Sequence, residues 1–102
     1  MNYRDLKIPK LMNELVKRNG SDLHLTADSI PYFRIQGSIL PAGDNLYKED
    51  VLLSDLKFIL GEEKLKIFFD EKELDCSYGL EGVARFRLNV FSITIILREL
   101  YK

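Results

Sequence analysis

Hydrophobic positions fall on two different periods along this chain. Ile8, Leu11, Met12, Leu15 and Val16 recur at the three-and-four spacing of one apolar helix face, and Asn19-Gly20 supplies a stop. The period then changes to two. Over residues 21–27, Leu23 and Leu25 fall on one side and Asp22 and His24 on the other, which predicts a strand. A second strand follows Pro31, with Tyr32, Arg34 and Gln36 sharing one face and Phe33 and Ile35 the other. Gly37-Ser38 predicts a tight turn into Ile39-Leu40, and residues 41–45 read as loop. Helical spacing returns over residues 48–60 at Leu52, Leu53, Leu56, Ile59 and Leu60, with Gly61 as the break. A shorter helix over residues 62–71 is expected to bury Leu65, Phe68 and Phe69. Residues 74–80 read as a strand, with Tyr78-Gly79 expected at a turn and Glu81-Gly82 leading into the next strand. The order is one helix, three short strands, two helices and a meander of longer strands. That is an α+β domain with helices packed on one face of an antiparallel sheet.

The strand at residues 83–91 carries the clearest candidate chemistry. Ala84, Phe86, Leu88 and Val90 alternate strictly with Arg85, Arg87 and Asn89, so one face builds core while the other presents two arginines side by side. A guanidinium offers five donors in a rigid plane suited to carboxylate or phosphate. Two readings follow: a solvated face whose arginines pair with acidic residues, or an anion site. The phase also shifts here. Apolar residues occupy even positions up to Val90 and odd positions at Ile93, Ile95 and Leu97, so some break near Phe91 is required. A bulge, a shortened hairpin, a deletion or a missing loop would each supply it. A hairpin that failed to close would favour a strand-swapped dimer.

Composition narrows the function classes. The chain has 102 residues, 46% hydrophobic and 30% charged, which fits one domain able to bury its own core. Its formal net charge of −1, from 15 basic and 16 acidic residues, gives no general basic field, so nucleic acid is not an expected partner. Any affinity for phosphate must be local. A single cysteine, Cys76, excludes an intrachain disulfide and reads as a small strand residue in a reducing compartment. Asp22 and His24 share a face and are expected to pair in a structural role, with no nucleophile or metal cluster to serve. The charge runs at residues 62–64 and 70–73 read as solvated helix side and ends. No segment has the ~20 apolar residues of a membrane helix or the form of a signal peptide, so a cytoplasmic location is expected.

Several blocks then point to a family. Residues 20–27, Gly-Ser-Asp-Leu-His-Leu-Thr-Ala, followed by Pro-Tyr-Phe-Arg-Ile-Gln-Gly at 31–37, resemble the opening of type IV pilus retraction ATPases of the PilT kind. Phe69-Asp70, Leu74-Asp75, Ser77-Tyr78-Gly79 and residues 82–91 resemble that family's second block, in the same order. A similar Ser-Asp-hydrophobic-His block occurs in related secretion ATPases.

The resemblance implies a PAS-like domain spanning residues 1–102, the N-terminal part of a motor whose RecA-like ATPase domain is absent, since no phosphate loop occurs in the sequence. It implies neighbouring subunits of a homo-hexamer as partners, a cytoplasmic place at the inner-membrane pilus or secretion machinery, and ATP with Mg in the full-length protein, though no cofactor here. In such motors the N-terminal domain contributes arginines toward nucleotide. The matching positions are Arg85 and Arg87, with Asn89 on the same face to orient them or to bond across strands, and Arg34 as a further candidate whose simpler role is an ion pair with a neighbouring strand. The chain departs from the family in lacking a glycine-containing turn after Phe91. The competing reading is a stand-alone PAS-like module that binds a small ligand or partner.

Overall fold

Nine elements follow one another in the expected order in the computed structural model, which describes residues 7–92 and 94–101. Helix α1 spans Lys7–Lys17, and strands β1 (Asp22–Thr26), β2 (Tyr32–Ile35) and β3 (Ser38–Pro41) follow. Helices α2 (Glu49–Leu60) and α3 (Glu62–Glu71) lead into β4 (Glu73–Leu80), β5 (Ala84–Phe91) and β6 (Thr94–Tyr101). The six strands make one sheet in the order β3-β2-β1-β6-β5-β4, antiparallel at every pairing. The first and last strand groups therefore meet at the centre, where β1 lies against β6.

One face of the sheet is covered. Leu23, Leu25, Phe33, Phe86, Leu88, Val90, Ile95 and Leu97 point into a single core with Ile8, Met12 and Leu15 of α1, Leu52 and Leu56 of α2, and Leu65 and Phe68 of α3. Strands β1, β2, β5 and β6 each contribute alternate residues, so their remaining side chains point to the other face, which no described helix covers. Tyr47 is brought into this core by a loop. Its hydroxyl donates to the buried Asp55 carboxylate of α2, which also accepts the Lys7 amide at 3.3 Å. Burial first, then the Asp55 carboxylate, pushes the Tyr47 hydroxyl far above its usual range, so it stays protonated and remains a donor. Asp28 caps α2 from a distance, accepting the Glu49 amide at 3.1 Å.

The phase shift near Phe91 is a tight hairpin. Phe91 pairs with Thr94 and Leu88 with Leu97, so odd positions of β5 face even positions of β6 and both strands turn their apolar residues inward. Ser92 enters the left-handed region at φ 54°, as a two-residue hairpin connection requires, and Ile93 lies outside the described residues. The hairpin closes within the chain, which corrects the premise of a strand-swapped dimer. Three local expectations are also corrected. The β2–β3 turn sits at Gln36-Gly37, with φ of 51° and 81°, and Ile35 pairs with Ser38. Tyr78 lies within β4 opposite Phe86, not in a turn. Phe69 is 47% exposed, because α3 buries only the stripe of Leu65 and Phe68.

Candidate functional site

The uncovered face of β5 presents Arg85, Arg87 and Asn89, as the alternation requires, and β4 decides where the arginines go. Arg87 forks onto Asp75, with Nε 3.0 Å from Oδ1 and Nη2 2.7 Å from Oδ2. The hydrogen bonds from Arg87 hold the Asp75 carboxyl below the usual range, and Asp75 in turn raises the guanidinium further. Both side chains are about half exposed, so the pair competes with water and releases Arg87 at little cost. Arg85 leans the same way but meets no charge. Its Nη2 donates to the Ser77 hydroxyl at 2.8 Å, and its guanidinium lies over Gly79, where a Cβ would stand 2.8 Å from Nη1. A bulge in β6 accompanies this position, since Phe86 pairs with Glu99 while Arg85 pairs with Tyr101.

A charged row crosses the same face one step further along. The registers align Arg34 of β2, Asp22 of β1, Arg98 of β6 and Arg87 of β5. Asp22 is buried and well supplied. The Ser21 hydroxyl donates to Oδ1 at 2.6 Å, His24 Nε2 donates to Oδ2, and Arg34 Nε lies 3.6 Å from the same oxygen. Burial alone would raise the Asp22 carboxyl, but Ser21, His24 and Arg34 together outweigh it and leave the group below the usual carboxylate range. The His24 ring stacks on Tyr32, centroids 4.6 Å apart and planes within 9°. The expected Asp22–His24 pair is therefore present, and it anchors Arg34 as an ion pair between neighbouring strands.

Of the four residues singled out from the sequence, Arg85 and Arg87 stand together and Arg34 stands apart, three strand spacings or about 14 Å from Arg87. Asn89 shares their face, but among the described residues its side chain hydrogen-bonds neither arginine; it lines a cleft of 430 Å³ with Glu71, Glu73 and Asp75, an acidic setting. Arg98 is the residue that the sequence reading passed over. The signal was available, because once the hairpin flips the phase, even positions of the last strand share a face with Arg85 and Arg87. Among the described residues no helix is long and apolar enough to cross a membrane, and no three His, Cys, Asp or Glu gather as metal ligands.

No protein-family model matches the chain. Two curated proteins of Pseudomonas aeruginosa do. The type IV pilus retraction ATPase PilT is 30% identical over 87 residues, 85% of this chain and 25% of PilT, and the type IV pilus ATPase PilU is 23% identical over 86 residues, 84% of this chain and 22% of PilU. The chain thus spans about a quarter of the length of these relatives. Among solved structures, the pilus retraction motor PilT with bound ADP superposes with a TM-score of 0.80 at 33% identity, over 94% of this chain and 29% of that one. The Legionella pneumophila ATPase DotB superposes at 0.73 with 20% identity, over 90% of this chain and 29% of that one, a likeness of fold. Sequence and fold agree in relating this chain to the N-terminal domain of PilT-family ATPases.

Proposed function

We propose that this chain serves as the N-terminal, PAS-like domain of a hexameric type IV pilus retraction motor or a related secretion ATPase. It packs against a neighbouring subunit and brings Arg85 or Arg87 toward nucleotide held by the ATPase domain. The observation that carries this reading is the arginine face: two guanidinium groups rise from β5, a strand paired on both sides, so their backbone positions are fixed. Arginines meant to meet developing phosphate charge need such placement. The solved PilT relative holds ADP, which supports a nucleotide as the ligand. ATP and Mg would be bound by the ATPase domain, and this piece would hydrolyse nothing alone. Such a motor would work in the cytoplasm against inner-membrane machinery.

The ligand-binding module draws no support from the space beneath the helices. Between α2, α3 and the sheet the remaining cavity is about 20 Å³, room for one water and far below the few hundred that an organic ligand needs.

The test is a chimera in which this chain replaces the matching region of Pseudomonas aeruginosa PilT. ATP turnover is expected to fall by tenfold or more with Arg85→Ala or Arg87→Ala while the hexamer still assembles, the scale of one lost charge-assisted contact. Unchanged turnover in both variants would remove the nucleotide role.

A further inference from the structure

Residues 42–47 form a loop tied down at both ends. The Ala42 amide donates to the Pro31 carbonyl at 2.8 Å, and the Tyr47 amide donates to the Ser29 carbonyl at 2.9 Å. Between this loop and α1 lies an open groove of 220 Å³, and none of its lining residues belongs to the arginine face. Leu11, Pro31, Ala42 and the half-exposed Leu46 supply its apolar lining. Lys7 and Lys10 stand on the α1 side, one helical turn apart, and Asp44 stands on the loop side. The buried Asp55 carboxylate holds both walls: it accepts the Tyr47 hydroxyl at the end of the loop and the Lys7 amide of α1 at 3.3 Å. It engages Lys7 through the backbone, and the Lys7 ammonium lies instead over the Tyr47 ring, 5.2 Å from its centroid. A buried carboxylate is stable only while its donors stay in place, so the two walls are fixed relative to each other before any ligand arrives.

The charges at the groove select the ligand. Lys10 and Asp44 make no ion pair and no side-chain hydrogen bond among the described residues, so both remain available to a bound molecule. Two cations and one anion leave the rim with one positive charge in excess over an apolar lining. A matching ligand carries a single negative charge and a compact apolar body, and a second negative charge would meet Asp44. A carboxylate satisfies that limit, whereas a phosphate monoester carries close to two charges at neutral pH. The volume admits roughly ten non-hydrogen atoms. We propose that the groove between α1 and residues 42–47 binds a small apolar carboxylate. Lys7 and Lys10 donate to its oxygens, Leu11 and Leu46 pack on its body, and Asp55 is the positioning residue that fixes the two walls. This site goes beyond the motor reading and does not depend on it.

The experiment is a ¹⁵N NMR titration of the 102-residue chain with phenylacetate and, separately, with phenylacetamide and with acetate. Phenylacetate carries both ring and charge, the amide the ring alone, and acetate the charge alone. Saturable shifts are expected over residues 7–11 and 42–47 with phenylacetate, at a dissociation constant of about 1 mM, and the other two probes are expected to bind about tenfold more weakly. Lys10→Gln should weaken phenylacetate binding about fivefold, Lys10→Arg should retain it by keeping the charge, and Leu46→Asn should weaken it about threefold. Lys10 is exposed and Leu46 is half-exposed, so these variants leave the core untouched. Equal binding of phenylacetamide or of acetate overturns the proposal, as does a wild type without saturable shifts by about 10 mM. Affinity unchanged in Lys10→Gln or in Leu46→Asn overturns it too. Shifts confined to β5 and β6 would place the carboxylate on the arginine face and overturn it as well.

Discussion

Asp22 is an ionised group held almost out of water, an arrangement that is stable only where its oxygens are met by donors. Ser21, His24 and Arg34 meet them, so the carboxylate acts as the pin that joins β1 to β2 on the uncovered face. Removing its charge leaves Arg34 without a counter-ion and weakens the hydrogen bond from His24, and Asp22→Asn is expected to cost about 1–3 kcal/mol at neutral pH. The pH dependence follows in sign. The folded-state acidity is displaced downward from 3.8, so the unfolded chain takes up the proton first as pH falls. The stabilisation is complete above that unfolded value and is lost as pH drops through the lower folded one. Urea unfolding of both proteins across the acid range should show their stabilities converging there; curves that stay parallel would mean that Asp22 is not the titrating pin. Tyr47 and Asp55 form the buried counterpart on the core side, and the sequence hinted at them only indirectly. Asp55 sits on the apolar face of α2 between Leu52 and Leu56, a position where a carboxylate implies a partner, but the partner comes from a loop with no pattern of its own.

At the scale of elements, contact between α1 and the sheet depends on Gly20. Its φ is ordinary and its importance is space: a Cβ would stand 2.4 Å from Leu15 Cδ1, 3.1 Å from the Arg34 carbonyl oxygen and 3.2 Å from Ile35 Cγ1. Leu15 and Ile35 belong to the packed layer and the Arg34 carbonyl accepts the Ser21 amide, so none of the three yields freely. Gly20→Ala is therefore expected to cost about 1–3 kcal/mol, measured by thermal or urea unfolding, where a mere helix stop would have tolerated alanine. The same contrast marks what was legible in the sequence. Alternation and helical spacing are local, and they identified the three helices, most of the strands and the outward placement of Arg85 and Arg87, while the last strand showed only as an apolar run out of phase with β5. Turns were less legible. Gly37 suited either side of a two-residue turn, and the observed one uses Gln36 at positive φ, which few would choose from residue type. Phe69 was misread because α3 carries more aromatic rings than its buried stripe admits. Arg98 was passed over because its facing depends on pairing across the hairpin, a relation that neither strand shows alone.

For the whole molecule, the closed hairpin and the treatment of the sheet edges set the expected state in solution. β5 and β6 pair over their length within one chain, so no strand is left seeking a partner at the centre of the sheet. The two edges are each protected in a recognised way: β3 is four residues long and ends in Pro41, while β4 turns Glu73 and Asp75 outward. The exposed apolar residues include Ile39 and Leu40 on β3, Ile67 and Phe69 on α3, and Leu100 and Tyr101 on β6, and they are spread over several elements. Multi-angle light scattering over a concentration series is expected to give a single species at 11.9 kDa. That result would fit the proposed motor, in which each copy of this domain meets a partner other than itself. A stable species of twice that mass would show that a surface of this domain pairs with its own copy. If the new contact buried the β5 and β6 arginines, it would also oppose an anion-binding role for the uncovered face.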